Sequence, residues 1–287
     1  INLYRDSRKR SFYGVIMAGG SLGAIFGSEI SKRFSGSFDE LGLELFSLSA
    51  ALFLFLAMLL ALYMLSISNN DQTIDNDNAG GGSFDAIKNS LQINEVRSIA
   101  AYVWIWTALM TVQWITAINI VEDWSQNSEQ RLRFFAVMEQ VISPLTLIIQ
   151  LFFTNLIIKK IGIKNILLSY GILFCIAFIL YGLIPSIISV GIVTVFLRVF
   201  EYGINKPTRE TIFSTFKKND RYKSTVFIDT FISRFGDLSG SGFIAIGKLT
   251  SIAANSFPLI SIPIAGFLSI LGIKISRNIN TKDLSIR

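Results

Sequence analysis

Apolar residues in this chain come in long, nearly uninterrupted blocks, and that feature restricts the fold more than any other. A helix crosses the hydrocarbon core of a bilayer with roughly 20 apolar residues. Eight blocks approach that length, over 12–30, 43–67, 98–121, 134–158, 166–184, 187–204, 225–246 and 257–275. The second and fourth are the clearest. The sixth and seventh carry charges, which makes them weak by hydropathy. A tight turn at Pro185 and Ser186 separates the fifth from the sixth. Charged residues make up 16% of the chain, against about a quarter in soluble domains, which agrees with a membrane solvent. The expected fold is all-α, a polytopic transmembrane helical bundle.

The net charge of +6 does not call for a nucleic-acid partner, because the basic residues lie in short tracts between apolar blocks. The N-terminus, 68–97, 159–164, 206–223 and the C-terminal tail together hold 19 of the 26 Lys and Arg residues; the alternate loops hold four, Lys32, Arg33, Arg131 and Arg133. Cytoplasmic loops are the basic ones, so both ends are expected to be cytoplasmic. The sequence contains no histidine, which excludes a His proton relay, a His metal site and a Ser-His-Asp triad. One cysteine, Cys175, lies inside an apolar block and is read as a packing or lipid-facing residue. No cofactor or metal is expected, and the bilayer is the first partner.

The chain opens on Ile1, and the basic run 5–10 before an apolar block imitates a signal peptide. Seven further blocks favour a piece of a longer membrane protein. The segment 69–82 lacks apolar periodicity, ends in three glycines and reads as a flexible cytoplasmic linker. Phe84, Ile87 and Leu91 then recur at helical spacing, as in a short surface helix. Two spans before a linker and six after it fit a 6+6 layout. Residues 1–68 would be the last two helices of an N-terminal bundle, 69–94 the linker and 95–287 a C-terminal six-helix bundle. The chain would then be helices 5–12 of twelve, with the first four as missing partners.

Gly19, Gly23 and Gly27 share one helix face, as do Gly236 and Gly240, and read as close helix packing. A phosphate loop is disfavoured, since no Lys-Ser/Thr follows the first run. The richest chemistry lies in 198–237. Arg198 and Glu201, and likewise Arg234 and Asp237, are three apart and able to pair. Arg234 lies near the bilayer middle, where a charge normally faces the bundle interior or a water-filled cavity. Arg198 or Arg234 would bind an anionic substrate through its guanidinium fork, or these charges would pair between helices as packing or gate. Lys206, Arg209 and Glu210 surround Pro207, which is expected to stop the helix or turn the chain. Asp229 lies about two turns into the seventh span. Glu139 is an intramembrane carboxylate, either a proton carrier or a partner for Arg198 or Arg234; Gln140 and Gln150 share its helix. Trp104, Trp106 and Trp114 lie in the third span with Gln113, which together with Trp114 is a candidate cavity liner. Trp124 reads as an interfacial anchor.

The stretch 206–237 resembles the nonmitochondrial ATP/ADP carrier family of bacteria and plastids and its bacterial major facilitator relatives. The resemblance rests on Pro207, Arg209 and Glu210, then Tyr222-Lys223, Ile228-Asp229, and Arg234, Gly236 and Asp237. The runs 10–14 and 18–24 resemble the start of that family's fifth helix, and 134–150 is a looser match. The resemblance implies a major facilitator fold and a transporter, not an enzyme, working by alternating access in the bacterial inner membrane. It implies exchange of nucleotides or similar anions. A facilitator-type permease for another small molecule, a membrane-embedded lipid-modifying enzyme and a non-transporting scaffold are the alternatives.

Overall fold

The computed structural model describes residues 11–34, 40–70, 94–213, 224–253 and 256–285, and every regular element among them is helical. The elements are α1 (Ser11–Phe34), α2 (Glu40–Asn70), α3 (Asn94–Trp124), α4 (Ser128–Ile148), α5 (Thr154–Leu183), α6 (Ile187–Phe200), α7 (Lys206–Phe213), α8 (Ser233–Leu249) and α9 (Ser256–Ser285). One turn of π-helix joins α4 to α5 (Ile149–Phe153), another joins α6 to α7 (Glu201–Asn205), and a third precedes α8 (Phe227–Ile232). The linker expected over 69–82 and the short helix around Phe84, Ile87 and Leu91 lie outside the described residues, except that α2 runs on through Asn69 and Asn70.

Among the described residues, four helical stretches are long and apolar enough to cross a membrane: Val96–Trp124, Ser128–Leu183, Ile187–Phe213 and Ser256–Arg277. They suit an integral membrane protein. The second has 56 residues, about 84 Å of helix against a hydrocarbon core of about 30 Å. It is not one rod. Gly162 breaks it, with φ 79° and ψ 153°, a region almost closed to residues with a Cβ. Lys159, Lys160 and Lys164 flank the break. The expectation of two passes here therefore agrees with the backbone, and one glycine makes the reversal. Gly162→Ala should cost about 1–3 kcal/mol and lower the melting temperature in detergent. Gly191→Ala, with open space around its added methyl, should leave it unchanged.

The seventh expected span, around α8, is not among the four, in keeping with its charges. The sixth is: its helix runs unbroken from Ile187 to Phe213. α2 is 31 residues long and carries the apolar stretch Ser47–Tyr63.

Three rungs set the direction of the central helices. Tyr102 on α3 meets both Leu167 on α5 and Asn205. Tyr170 on α5 stacks on Phe200 of α6 at 5.4 Å. Gln113 on α3 donates to Tyr181 of α5 and Thr194 of α6. α3 and the return half of α5 thus run parallel, with α6 antiparallel to both. The start of α3, the break at Gly162 and the π-turn before α7 share one end of the bundle. Trp124, Asn127 and Ser186 mark the other, where local sequence starts the next helices. Asn127 Oδ1 accepts from the Glu129 amide at 2.9 Å, and Ser186 and Ser189 form a reciprocal capping box.

The core between these helices is aromatic: Tyr102, Tyr170, Phe174, Phe178 and Tyr181 are fully buried. Glycines let the outer helices close on it. A Cβ on Gly171 would lie 2.6 Å from the Ala265 carbonyl of α9, and Ser269 of α9 donates to Leu168 O at 2.9 Å.

Candidate functional site

The densest polar cluster sits where α6 passes into α7. Pro207 has no N–H, so it cannot pair with the Gly203 carbonyl four residues earlier. The helix was expected to end or turn here. Instead it continues to Phe213, because the backbone widens by one residue over Glu201–Asn205 and side chains of the neighbouring helix supply the missing donors. Thr154 Oγ1 donates to Gly203 O at 2.6 Å and Gln150 Nε2 to Tyr202 O at 3.1 Å. π-turns of this kind are frequent at functional sites.

The widened turn also decides the ion pairs. Glu201 does not pair with Arg198, as the three-residue spacing suggested. It pairs with Arg209, eight residues on, at 2.9 Å, with side-chain exposures of 3% and 6%. Asn205 Nδ2 donates to the other carboxylate oxygen at 2.6 Å. The Arg209 guanidinium lies 4.6 Å from the Trp106 ring centroid, and Trp106 Nε1 donates to Tyr170 Oη at 2.9 Å. A buried charge needs this much company to be tolerated. One donor, Arg209 Nε, is buried without a protein partner.

Arg198 turns the other way, onto Glu139 of α4 at 2.6 Å, and lies over Tyr202. Glu139 also accepts from Ser143. Of the two roles read for Glu139, the structure places it as the partner of Arg198. This pair is about a quarter exposed, unlike the Glu201–Arg209 pair.

Arg234 and Asp237 pair as the spacing predicts, at 3.1 Å. The Arg234 side chain is 81% exposed, although it lies ten residues, about 15 Å, along the helix from Ser224. Asp237 accepts from Thr111 of α3 at 3.1 Å. Thr230, Ser233, Arg234, Asp237 and Ser241 form one polar stripe along this helix, partly or fully open. Asp229 is exposed as well and does not meet Arg234 in a hydrogen bond or ion pair described here. Lys206 and Glu210 are half-buried and flank the Glu201–Arg209 pair in sequence.

The two glycine groups part company. A Cβ on Gly236 would collide with Thr107 Oγ1 and lie 2.6 Å from Trp104 O; one on Gly240 would lie 2.5 Å from Ala108 O. Both let α8 lie against α3. No described residue lies within 4 Å of a Cβ added at Gly19, Gly23 or Gly27, while α1 meets α4 and the π-turn after it through polar residues: Gln140 Nε2 donates to Glu29 at 2.5 Å and Ser21 Oγ to Gln150 at 3.3 Å. Gln113 is 1% exposed and satisfied by Tyr181 and Thr194, so it is a core residue and not a cavity liner. Tyr102, Asn205 and Tyr170 escaped sequence reading, since each looks like an ordinary residue of an apolar helix.

Among the described residues no group of three or more Cys, Asp or Glu is placed to hold a metal ion. No protein-family model matches the chain, and comparison with curated proteins returned no matching sequence.

Proposed function

We propose that the chain is a membrane solute transporter of the major facilitator type, exchanging an organic anion by alternating access between helical bundles. A nucleotide of the ATP/ADP kind is the first substrate to test, given the resemblance of 206–237 to the ATP/ADP carriers. The proposed location is the bacterial inner membrane, with the basic ends of the helices inside. The bundle end that carries Arg97, Lys159, Lys160 and Lys164 supports that orientation.

The observation that carries the reading is Arg234. A guanidinium at mid-helix depth that points away from its own bundle is costly against lipid and reasonable against a water-filled path. Its fork suits carboxylate and phosphate groups. Asp237 holds it in place and Thr111 holds Asp237.

Exchange of labelled ATP against ADP in proteoliposomes is the direct test, with other organic anions as competitors. Uptake by wild type and its loss in Arg234→Ala, with the protein still folded, is the expected result. A charge-assisted contact of about 1.5–3 kcal/mol corresponds to a fall in rate of about tenfold or more. Absence of all nucleotide exchange by folded protein would remove the nucleotide part of the proposal.

A second reading has one observation in its favour: Arg198, Arg209 and Arg234 all have carboxylate partners. A non-transporting membrane scaffold would use its arginines in this way. It predicts that Arg234→Ala alters stability or assembly and that no anion is transported at all.

A further inference from the structure

Gln150 has two side-chain partners, and they join two features that are otherwise separate. It lies in the π-turn between α4 and α5. Its Oε1 accepts from Ser21 of α1 at 3.3 Å, and its Nε2 donates to the Tyr202 carbonyl between α6 and α7 at 3.1 Å. That carbonyl has no ready backbone donor. In α-helical register its partner would be the Lys206 amide, which is bonded to Glu201 O instead. In π register it would be residue 207, a proline. The next carbonyl, Gly203 O, depends on Thr154 for the same reason.

A helix whose carbonyls are satisfied by side chains of a neighbour keeps its shape only while that neighbour holds still. In an apolar phase a carbonyl without a donor is unfavourable, and a helix relieves it by bending or changing register. Ser21 orients the Gln150 carboxamide; without it the side chain is free to swing away from Tyr202. The Glu201–Arg209 pair spans the same turn and ties α7 back to α6.

We infer that the turn at Glu201–Asn205 is a hinge for α7, and that Gln150 sets the hinge according to whether α1 is docked on α4. Gln150 is a positioning residue in this device: its effect reaches α7 through the Tyr202 carbonyl. Gln140 is the internal comparison. It also meets α1, through Glu29, but lies ten residues, about 15 Å, earlier along α4.

The test measures geometry and does not depend on transport. The chain has a single cysteine, so Cys175→Ala clears the background for spin labels at Arg97→Cys, at the start of α3, and Thr211→Cys, in α7 beyond the hinge. Both positions are exposed. Pulsed electron resonance on the full chain in nanodiscs then gives the 97–211 distance distribution. Gln150→Leu should shift its maximum or split it in two. Ser21→Ala should move it in the same direction by less, and Gln140→Leu should leave it in place. Superimposable distributions for the parent, Gln150→Leu and Ser21→Ala would overturn the hinge. So would a shift in Gln140→Leu as large as that in Gln150→Leu. Should Gln150→Leu fail to fold, Ser21→Ala decides by itself: a shift supports the device and no shift overturns it.

Discussion

Glu201→Leu is expected to destabilise the bundle by about 3–5 kcal/mol. The carboxylate accepts from Arg209 and Asn205 inside a site that is almost closed to water. Its loss leaves the Arg209 guanidinium buried against the Trp106 ring without its carboxylate, and Arg209 already has one unpaired donor, Nε. Arg209→Met should cost a similar amount by stranding Glu201. The double variant Glu201→Leu/Arg209→Met should recover a large part of the loss, because an apolar pair of comparable volume removes both charges together. Thermal unfolding in detergent, followed by monodispersity on gel filtration, measures all three. Equal melting temperatures for the wild type and Glu201→Leu would mean that the pair contributes little. An additive double variant would mean that the two residues act separately.

The second large effect is expected at Gly236. Replacement by leucine places a side chain against Thr107 Oγ1 and the Trp104 carbonyl, and the latter belongs to a helix backbone that cannot rotate out of the way. α8 must move off α3, which breaks the Asp237–Thr111 bond and the Trp104–Ser239 bond with it. Overpacking of this sort costs about 1–3 kcal/mol in ordinary cores and more where backbone is struck. Gly236→Leu should therefore yield little folded protein, while Gly23→Leu on α1, with nothing near its added atoms, should express normally. Comparable yields would show that the α3–α8 contact is not needed for assembly.

These two sites differ in how far they could be read in the sequence. Gly236 and Gly240 are four apart on a helix, and that spacing alone announced a close contact. The same spacing at Gly19, Gly23 and Gly27 announces a contact too, and there no described residue lies within 4 Å of an added Cβ. Helical periodicity says which residues share a face; it does not say what the face meets. Arg234 and Asp237 were legible as a pair for the same local reason, whereas the direction of Arg234, out of its own bundle, was not. The partner of Glu201 was misread because Arg209, the residue it meets, lies beyond the widened turn, where regular α spacing no longer tells which residues share a face. One extra residue in the turn rotates everything after it by about 100°, since each helical residue accounts for 1/3.6 of a turn. That rotation accompanies the move of Glu201 onto Arg209, and Arg198 is left to Glu139.

By itself the sequence determined that the chain is helical and suited to a membrane, because the length of apolar runs and the scarcity of charge are local properties. It also marked Pro207 and the turn at Pro185 and Ser186. Tertiary structure decided which charges meet, that the helix passes through Pro207, and which tyrosines and amides close the polar cluster. The physical reason is the Pro207 gap in the backbone ladder. Whether that gap ends a helix depends on donors from elsewhere, and here Gln150 and Thr154, about fifty residues earlier in the chain, supply them only once α4, α5 and α6 have packed.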